Sequence, residues 1–164
     1  MTSRADFTDD EWTRLKRAPF VAGLAVSIAD PGGPIEAVKE TAATLRTVVD
    51  AAQGEGRGDL EAAIARDVGE DTKHHHNPLS GFRPKGALAA EQVLDELREV
   101  NAIVAAKADP DDAAAFRGWL LAVAQAAADA AKEGGFLGFH AVRVSEGEQR
   151  MLDKLGEALA APAA

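Results

Sequence analysis

Three consecutive histidines, His74, His75 and His76, follow closely on Asp67, Glu70 and Asp71. Imidazole nitrogens beside carboxylate oxygens are the donor set of zinc and nickel sites. Three adjacent side chains cannot face one ion from a regular helix, but a loop could present two of them. Asp71, His74 and His76 are therefore the candidate ligands for a divalent metal. The competing reading of the same residues is a solvated polar loop, or one that responds to pH, since imidazole titrates near neutrality.

The fourth histidine, His140, follows Gly134-Gly135-Phe136-Leu137-Gly138-Phe139. Paired with Glu133 or Glu146 it would form an acid–base couple; bonded to a backbone carbonyl it would be structural. The loop before it carries more weight. Phe136, Leu137 and Phe139 form an apolar tip on a glycine mount, suited either to folding back on the protein or to contacting another chain. Other chemistries lack their residues. None of the histidines has Glu three positions earlier, which excludes the diiron pattern of helical bundles. Neither ADPGGPIE nor GGFLGFHAVRVSE supplies the spaced carboxylates of a calcium loop. Phosphate-binding glycine motifs and the nucleophile elbow are missing. Cysteine and tyrosine are absent, so thiol nucleophiles, cysteine zinc sites and disulfides are excluded.

Composition narrows the partners. The 164 residues carry 18 basic and 27 acidic side chains, a formal charge of -9. That field repels a phosphate backbone and argues against nucleic-acid binding. Arg14, Lys16 and Arg17 make the densest basic run and read as a solvated helix face. MTSRADFTDDEW lacks the apolar core of a secretory signal. The longest apolar stretch, Ala18 to Ala29, is interrupted by Pro19 and Gly23 and falls short of a transmembrane span. With no cysteine, these features predict a soluble cytoplasmic protein. About a fifth of the residues are alanine, which predicts closely packed helices with few large core side chains. Richness in alanine, arginine and aspartate is typical of GC-rich bacterial coding.

The elements that must position these residues are helical throughout. Thr8 and Glu11 form a capping box, with Phe7 and Trp12 as a hydrophobic staple. The helix they open should run to about Ala29, burying Trp12, Leu15, Phe20, Leu24 and Ile28, with Pro19 kinking it or splitting it in two. After Asp30-Pro31-Gly32-Gly33-Pro34, a second helix shows Ile35, Val38, Ala42, Leu45 and Val49 on one face. A short third helix carries Leu60, Ile64 and Val68. The pattern then lapses from 69 to 85, a flexible central loop. Leu94, Leu97, Val100 and Val104 mark a fourth helix. Asp109-Pro110 opens a fifth, with Phe116, Trp119, Leu120, Val123, Ala127 and Ala130 buried. Ser145 and Glu148 cap the last, with Met151, Leu152, Leu155 and Leu159 inward. Residues 161–164 should fray. The expectation is one all-α domain over 1–164, a compact bundle of five or six helices with a long central loop. Its two ends, each a Trp-bearing helix, a glycine-rich breaker and a second helix, suggest two pseudo-repeated hairpins.

The run WLLAVAQAAADAAKEGGFLGFHAVRVSEGEQRMLDKLGEAL resembles the C-terminal end of uncharacterised bacterial all-helical proteins. FTDDEWTRLKRAPFVAGLAVSIADPGGPI resembles their N-terminal end. The resemblance implies a helical fold and brings no activity. A looser resemblance is to tellurite-resistance TerB-like helical domains, a family linked to metal and stress responses. Their acidic cluster is not matched, because Asp30 is followed by Pro31-Gly32-Gly33-Pro34, and no metal ligands carry over.

Taken together, these features favour a non-enzymatic helical protein acting through protein–protein contacts, with itself as a homodimer or with another protein, through Phe136, Leu137 and Phe139. The alternative is a metal or small-ligand binding protein, of the kind a stress sensor would be, using the His74–His76 loop. No organic cofactor is called for, and a divalent metal is the one inorganic ligand the residues suggest. A hydrolytic enzyme has the least support.

Overall fold

A computed structural model describes residues 1–29, 34–53, 58–132 and 144–161. Among them the chain forms α1 (Asp9–Ala29), α2 (Pro34–Gln53), α3 (Asp59–Lys73), α4 (Ala89–Lys107), α5 (Pro110–Lys132) and α6 (Glu146–Ala158). Short 3-10 turns at Arg4–Asp6 and Gly86–Leu88 precede α1 and α4. The described residues contain no strand, so the fold is an all-α bundle, with a strap of residues 74–85 joining α3 to α4. None of the helices described is long and apolar enough to cross a membrane.

The predicted start signals are realised. Thr8 N–H donates to Glu11 Oε2 at 2.7 Å and Glu11 N–H to Thr8 Oγ1 at 3.2 Å. The Phe7 and Trp12 rings lie 5.7 Å apart, the hydrophobic staple that fixes the entry angle of the chain. The box at α6 closes in the same way, between Ser145 and Glu148. At the other end of the bundle, Asp112 ties two termini together. Its carboxylate accepts from the Thr2 amide at 2.8 Å and from the Asp59 amide, in the first turn of α3, at 3.2 Å. Burial alone would raise the Asp112 carboxyl, but the hydrogen bonds from Thr2 and Asp59 outweigh it and leave it below its ordinary value.

Helices α1 and α5 form the centre. Each packs against all of the other five helices, and they are the leading helices of the two hairpins suggested by the sequence. The buried faces of α3 and α4 agree with the periodicity, with Leu60, Ile64 and Val68 on one and Leu94, Leu97, Val100 and Val104 on the other. Phe116, Trp119, Leu120, Val123 and Ala127 of α5, Met151 and Leu155 of α6 and its C-cap Leu159 are buried as expected.

Three expectations need correcting. Of the two outcomes expected at Pro19, a kink or a split, the split does not occur, since α1 is continuous from Asp9 to Ala29. Proline forfeits a backbone hydrogen bond, and here it is itself buried beside Ala18, Phe20, Val21, Ala22 and Gly23. Consecutive buried positions of this kind mean that the middle of α1, residues 18–23, is enclosed on all sides, the condition of a central helix. The second correction concerns α2. Among its described side chains Thr44 and Val48 are buried, while Val49 and Ala42 are exposed and Leu45 only part-buried; Ile35 and Val38 lie outside the described side chains. The inward face is rotated from the apolar row because Thr44 meets α1 at Gly23. A Cβ at Gly23 would lie 2.4 Å from Thr44 Oγ1 and 3.3 Å from Thr44 Cβ, so hydrogen at this position sets how closely the two helices approach. Third, α3 continues to Lys73, so residues 69–73 are helical and the strap begins at His74. Gly69 and the polar residues after it hid the last turn, in which the Thr72 hydroxyl donates to Val68 O at 2.8 Å.

The crossing is testable. Gly23→Ala should lower unfolding stability by about 1–3 kcal/mol, the usual cost of overpacking a tight contact. Adding Thr44→Ala should recover part of that loss in urea titrations, and a loss unchanged in the double variant would deny the close approach.

Candidate functional site

Among the described residues, predicted site residues come together at the junction of α1, α3 and the strap. The helical periodicity of α1 sends Arg14 and Arg17, three apart, toward α4 and leaves Lys16 facing α3. Arg17 donates through Nε to Glu96 Oε1 at 2.8 Å, and its Nη2 lies 2.6 Å from the same oxygen. Arg14 reaches Glu96 Oε2 at 3.1 Å and also pairs with Glu99. The side chains of Arg17 and Glu96 are 11% and 8% exposed, so this pair lies inside the protein. Lys16 donates to Asp71 Oδ2 at 2.5 Å. The basic run predicted as a solvated face is thus fully engaged in ion pairs, with acids more than fifty residues away along the chain.

The strap is laid over this network. Phe82 N–H bonds Leu79 O at 3.0 Å, closing a turn whose third residue, Gly81, has φ +80°. That conformation favours glycine. The turn brings the Phe82 ring over Arg17, with Cζ 5.4 Å from the ring centre, a cation–π contact. Leu79 and Phe82 pack against the core. Asn77 accepts from Leu79 N–H at 2.9 Å through its side chain and from Ser80 N–H at 3.0 Å through its carbonyl. Lys85 N–H donates to Gln92 Oε1 at 3.0 Å.

The histidine run begins as the end of α3. His74 is the C-cap, His75 has φ +58°, its N–H bonds Thr72 O at 3.0 Å, and His76 N–H bonds Asp71 O at 3.0 Å. This pair of bonds is the Schellman motif, in which the left-handed residue is ordinarily glycine. The reversal returns His76 over Asp71, with Nδ1 3.5 Å from Oδ1. The hydrogen bond from Lys16 outweighs the partial burial of Asp71 and, with a smaller contribution from His76, holds its carboxyl below the ordinary value.

Beside these groups lies a cleft of about 390 Å³. Thr13 and Lys16 line it from α1, Asp71 and Thr72 from α3, and His75, His76 and Ser80 from the strap. A volume in this range with a few convergent polar groups is the usual form of a small-ligand site. Of the predicted metal ligands, Asp71 and His76 are together on the cleft wall. His74 stands outside it, its ring centre 6.2 Å from that of His76. Asp67 and Glu70, the nearby carboxylates, are engaged by Trp12 Nε1 at 2.8 Å and Lys73 at 2.6 Å. Among the described residues no three His, Asp or Glu side chains already converge as a metal cage. Phe136, Leu137, Phe139 and His140 lie outside the described residues.

Sequence reasoning missed Lys16, Arg17, Glu96 and Phe82 as parts of this site. The spacing of Arg14 and Arg17 put them on one side of a helix, but nothing local reveals an acid partner on α4. The C-cap at His74 was missed as well, although Asn77-Pro78 follows the helix end closely. No protein-family model, curated protein or solved structure matches the chain.

The left-handed residue yields two substitutions of opposite sign. Relief of roughly 1–2 kcal/mol of left-handed strain, less about 0.5–1 kcal/mol of glycine entropy, should make His75→Gly neutral to slightly stabilising. His75→Val, β-branched, should destabilise. Thermal melts of both variants check the assignment, which fails if the two shift in the same direction.

Proposed function

We propose that the protein is a non-enzymatic binding protein whose small polar ligand occupies the cleft between α1, α3 and the strap. The observation that carries this reading is the cleft wall itself. It combines hydroxyls of Thr13, Thr72 and Ser80, two imidazoles and the Lys16–Asp71 pair around one opening. Such groups offer donors and acceptors in several directions, which suits recognition of a polar molecule. The buried Arg17–Glu96 pair and Phe82 hold the roof over α1, so little ordering is left for the ligand to impose, which favours affinity.

Thermal shift with a panel of small carboxylates, amino acids, sugars, nucleotides and divalent cations tests this reading. A ligand at about a hundred times its Kd adds about 2.7 kcal/mol, roughly 5–10 °C in Tm for a chain of this size. At least one class should produce such a shift. Thr13→Phe, at an exposed position on the cleft wall, should block the cleft and remove the shift while preserving the unliganded Tm. No shift with any class, or shifts indifferent to Thr13→Phe, would contradict the reading.

Contact with a second copy or another protein through Phe136, Leu137 and Phe139 is the second proposal, supported by the apolar tip in the sequence. Light scattering of Phe136→Ser with Phe139→Ser tests it: the double variant should lower the oligomeric state, and an unchanged mass denies the self-contact.

A further inference from the structure

Resting on the reading of the cleft as a ligand site, we propose that its ligand is a divalent transition cation of the zinc class, held by Asp71 Oδ1 and His76 Nδ1. Zinc bonds to oxygen and nitrogen of about 2.0–2.1 Å place two ligand atoms of a tetrahedron about 3.3 Å apart. The two atoms already lie 3.5 Å apart. That spacing is held by backbone, since the C-cap brings the His76 amide onto the Asp71 carbonyl. Lys16 occupies the other carboxylate oxygen, which leaves Oδ1, facing the His76 ring, for coordination through one oxygen.

The donor types select the ion. One carboxylate oxygen and imidazole nitrogen suit zinc, nickel or copper, whereas calcium and magnesium call for oxygen ligands in larger number. The third donor is the adjacent imidazole of His74. Two imidazoles on one tetrahedral ion have ring centres about 5 Å apart on the same bond lengths, against 6.2 Å between His74 and His76. Rotation of the exposed His74 side chain closes that difference. A cage completed only on binding, with water at the fourth position and the Lys16 ammonium nearby, gives weak and exchangeable binding. Lys16 thereby opposes the ion it helps to position, because like charges at short range repel.

Isothermal titration of the full, tag-free chain with zinc chloride in a non-coordinating buffer tests the proposal. The expected result is one zinc per chain in the micromolar range. Asp71→Asn and His76→Gln should each weaken it at least about tenfold, the loss typical even of partners outside the first ligand shell. Lys16→Met should tighten it several-fold, where an anion-binding cleft would lose affinity. Circular dichroism verifies each fold, and the exposed His76 keeps the test decisive if Asp71→Asn unfolds the chain. Absence of zinc binding, or binding indifferent to both His76→Gln and Asp71→Asn, overturns the proposal, the latter result marking adventitious uptake by the histidine run. If zinc fails while a panel ligand shifts the wild type and not Thr13→Phe, only the cation assignment falls. If every panel ligand fails as well, the cleft reading falls with it.

Discussion

Arg17 and Glu96 meet inside the bundle, and their pairing determines what can be built above it. A charge taken out of water costs several kcal/mol unless it is paired and hydrogen-bonded. Arg17 meets that cost with two nitrogens on one Glu96 oxygen and with the Phe82 ring. Glu96 uses its second oxygen for Arg14. Removing Glu96 would strand Arg17 in a low-dielectric site, and removing Arg17 would leave Glu96 with Arg14 alone. The pair therefore specifies how α1 lies against α4 and where the strap must cross.

Packing supplies the complementary constraint. The chain has few large side chains and many alanines, so its helices gain contact by approaching closely. Gly23 against Thr44 shows how close: even a methyl group would collide. Enclosure of the middle of α1 follows from the same economy of side-chain size, because Ala18, Ala22 and Ala25 let neighbours come near. A rigid centre of this kind allows the long connection 74–85 to be held down on one flank of the bundle. It is anchored by Leu79 and Phe82 packed against the core and by turns around Asn77 and Gly81.

Much of this was legible in the amino-acid order, for identifiable reasons. Local chemistry wrote itself clearly: the Thr8–Glu11 and Ser145–Glu148 boxes, the Phe7–Trp12 staple, and the buried rows of α3, α4 and α5 all depend on residues within one or two turns. Asp71 and His76 were also legible as candidate partners from their residue types and closeness in sequence, while the helix end that returns one over the other was not. What depended on distant partners was not. Lys16, Arg14 and Arg17 looked like a solvent face because Asp71, Glu96 and Glu99 lie on other helices. The inward face of α2 was misjudged because Thr44, a polar residue, is buried by its contact with a glycine on α1. The end of α3 was hidden by Gly69 and a polar last turn whose place in the helix is set by capping rather than by burial.

The central claim is that the strap is fastened to α1 by Arg17, Glu96 and Phe82, so that the cleft exists before any ligand arrives. Amide hydrogen exchange of the unliganded chain, read at His76, Ser80 and Phe82, tests it most directly. Each of these amides donates to a carbonyl of α3 or the strap. The account predicts protection at all three in the wild type, and its loss in Arg17→Met at Ser80 and Phe82 while the amides of α5 stay protected. Exchange of the strap amides at the rate of an unstructured peptide in the wild type would contradict it.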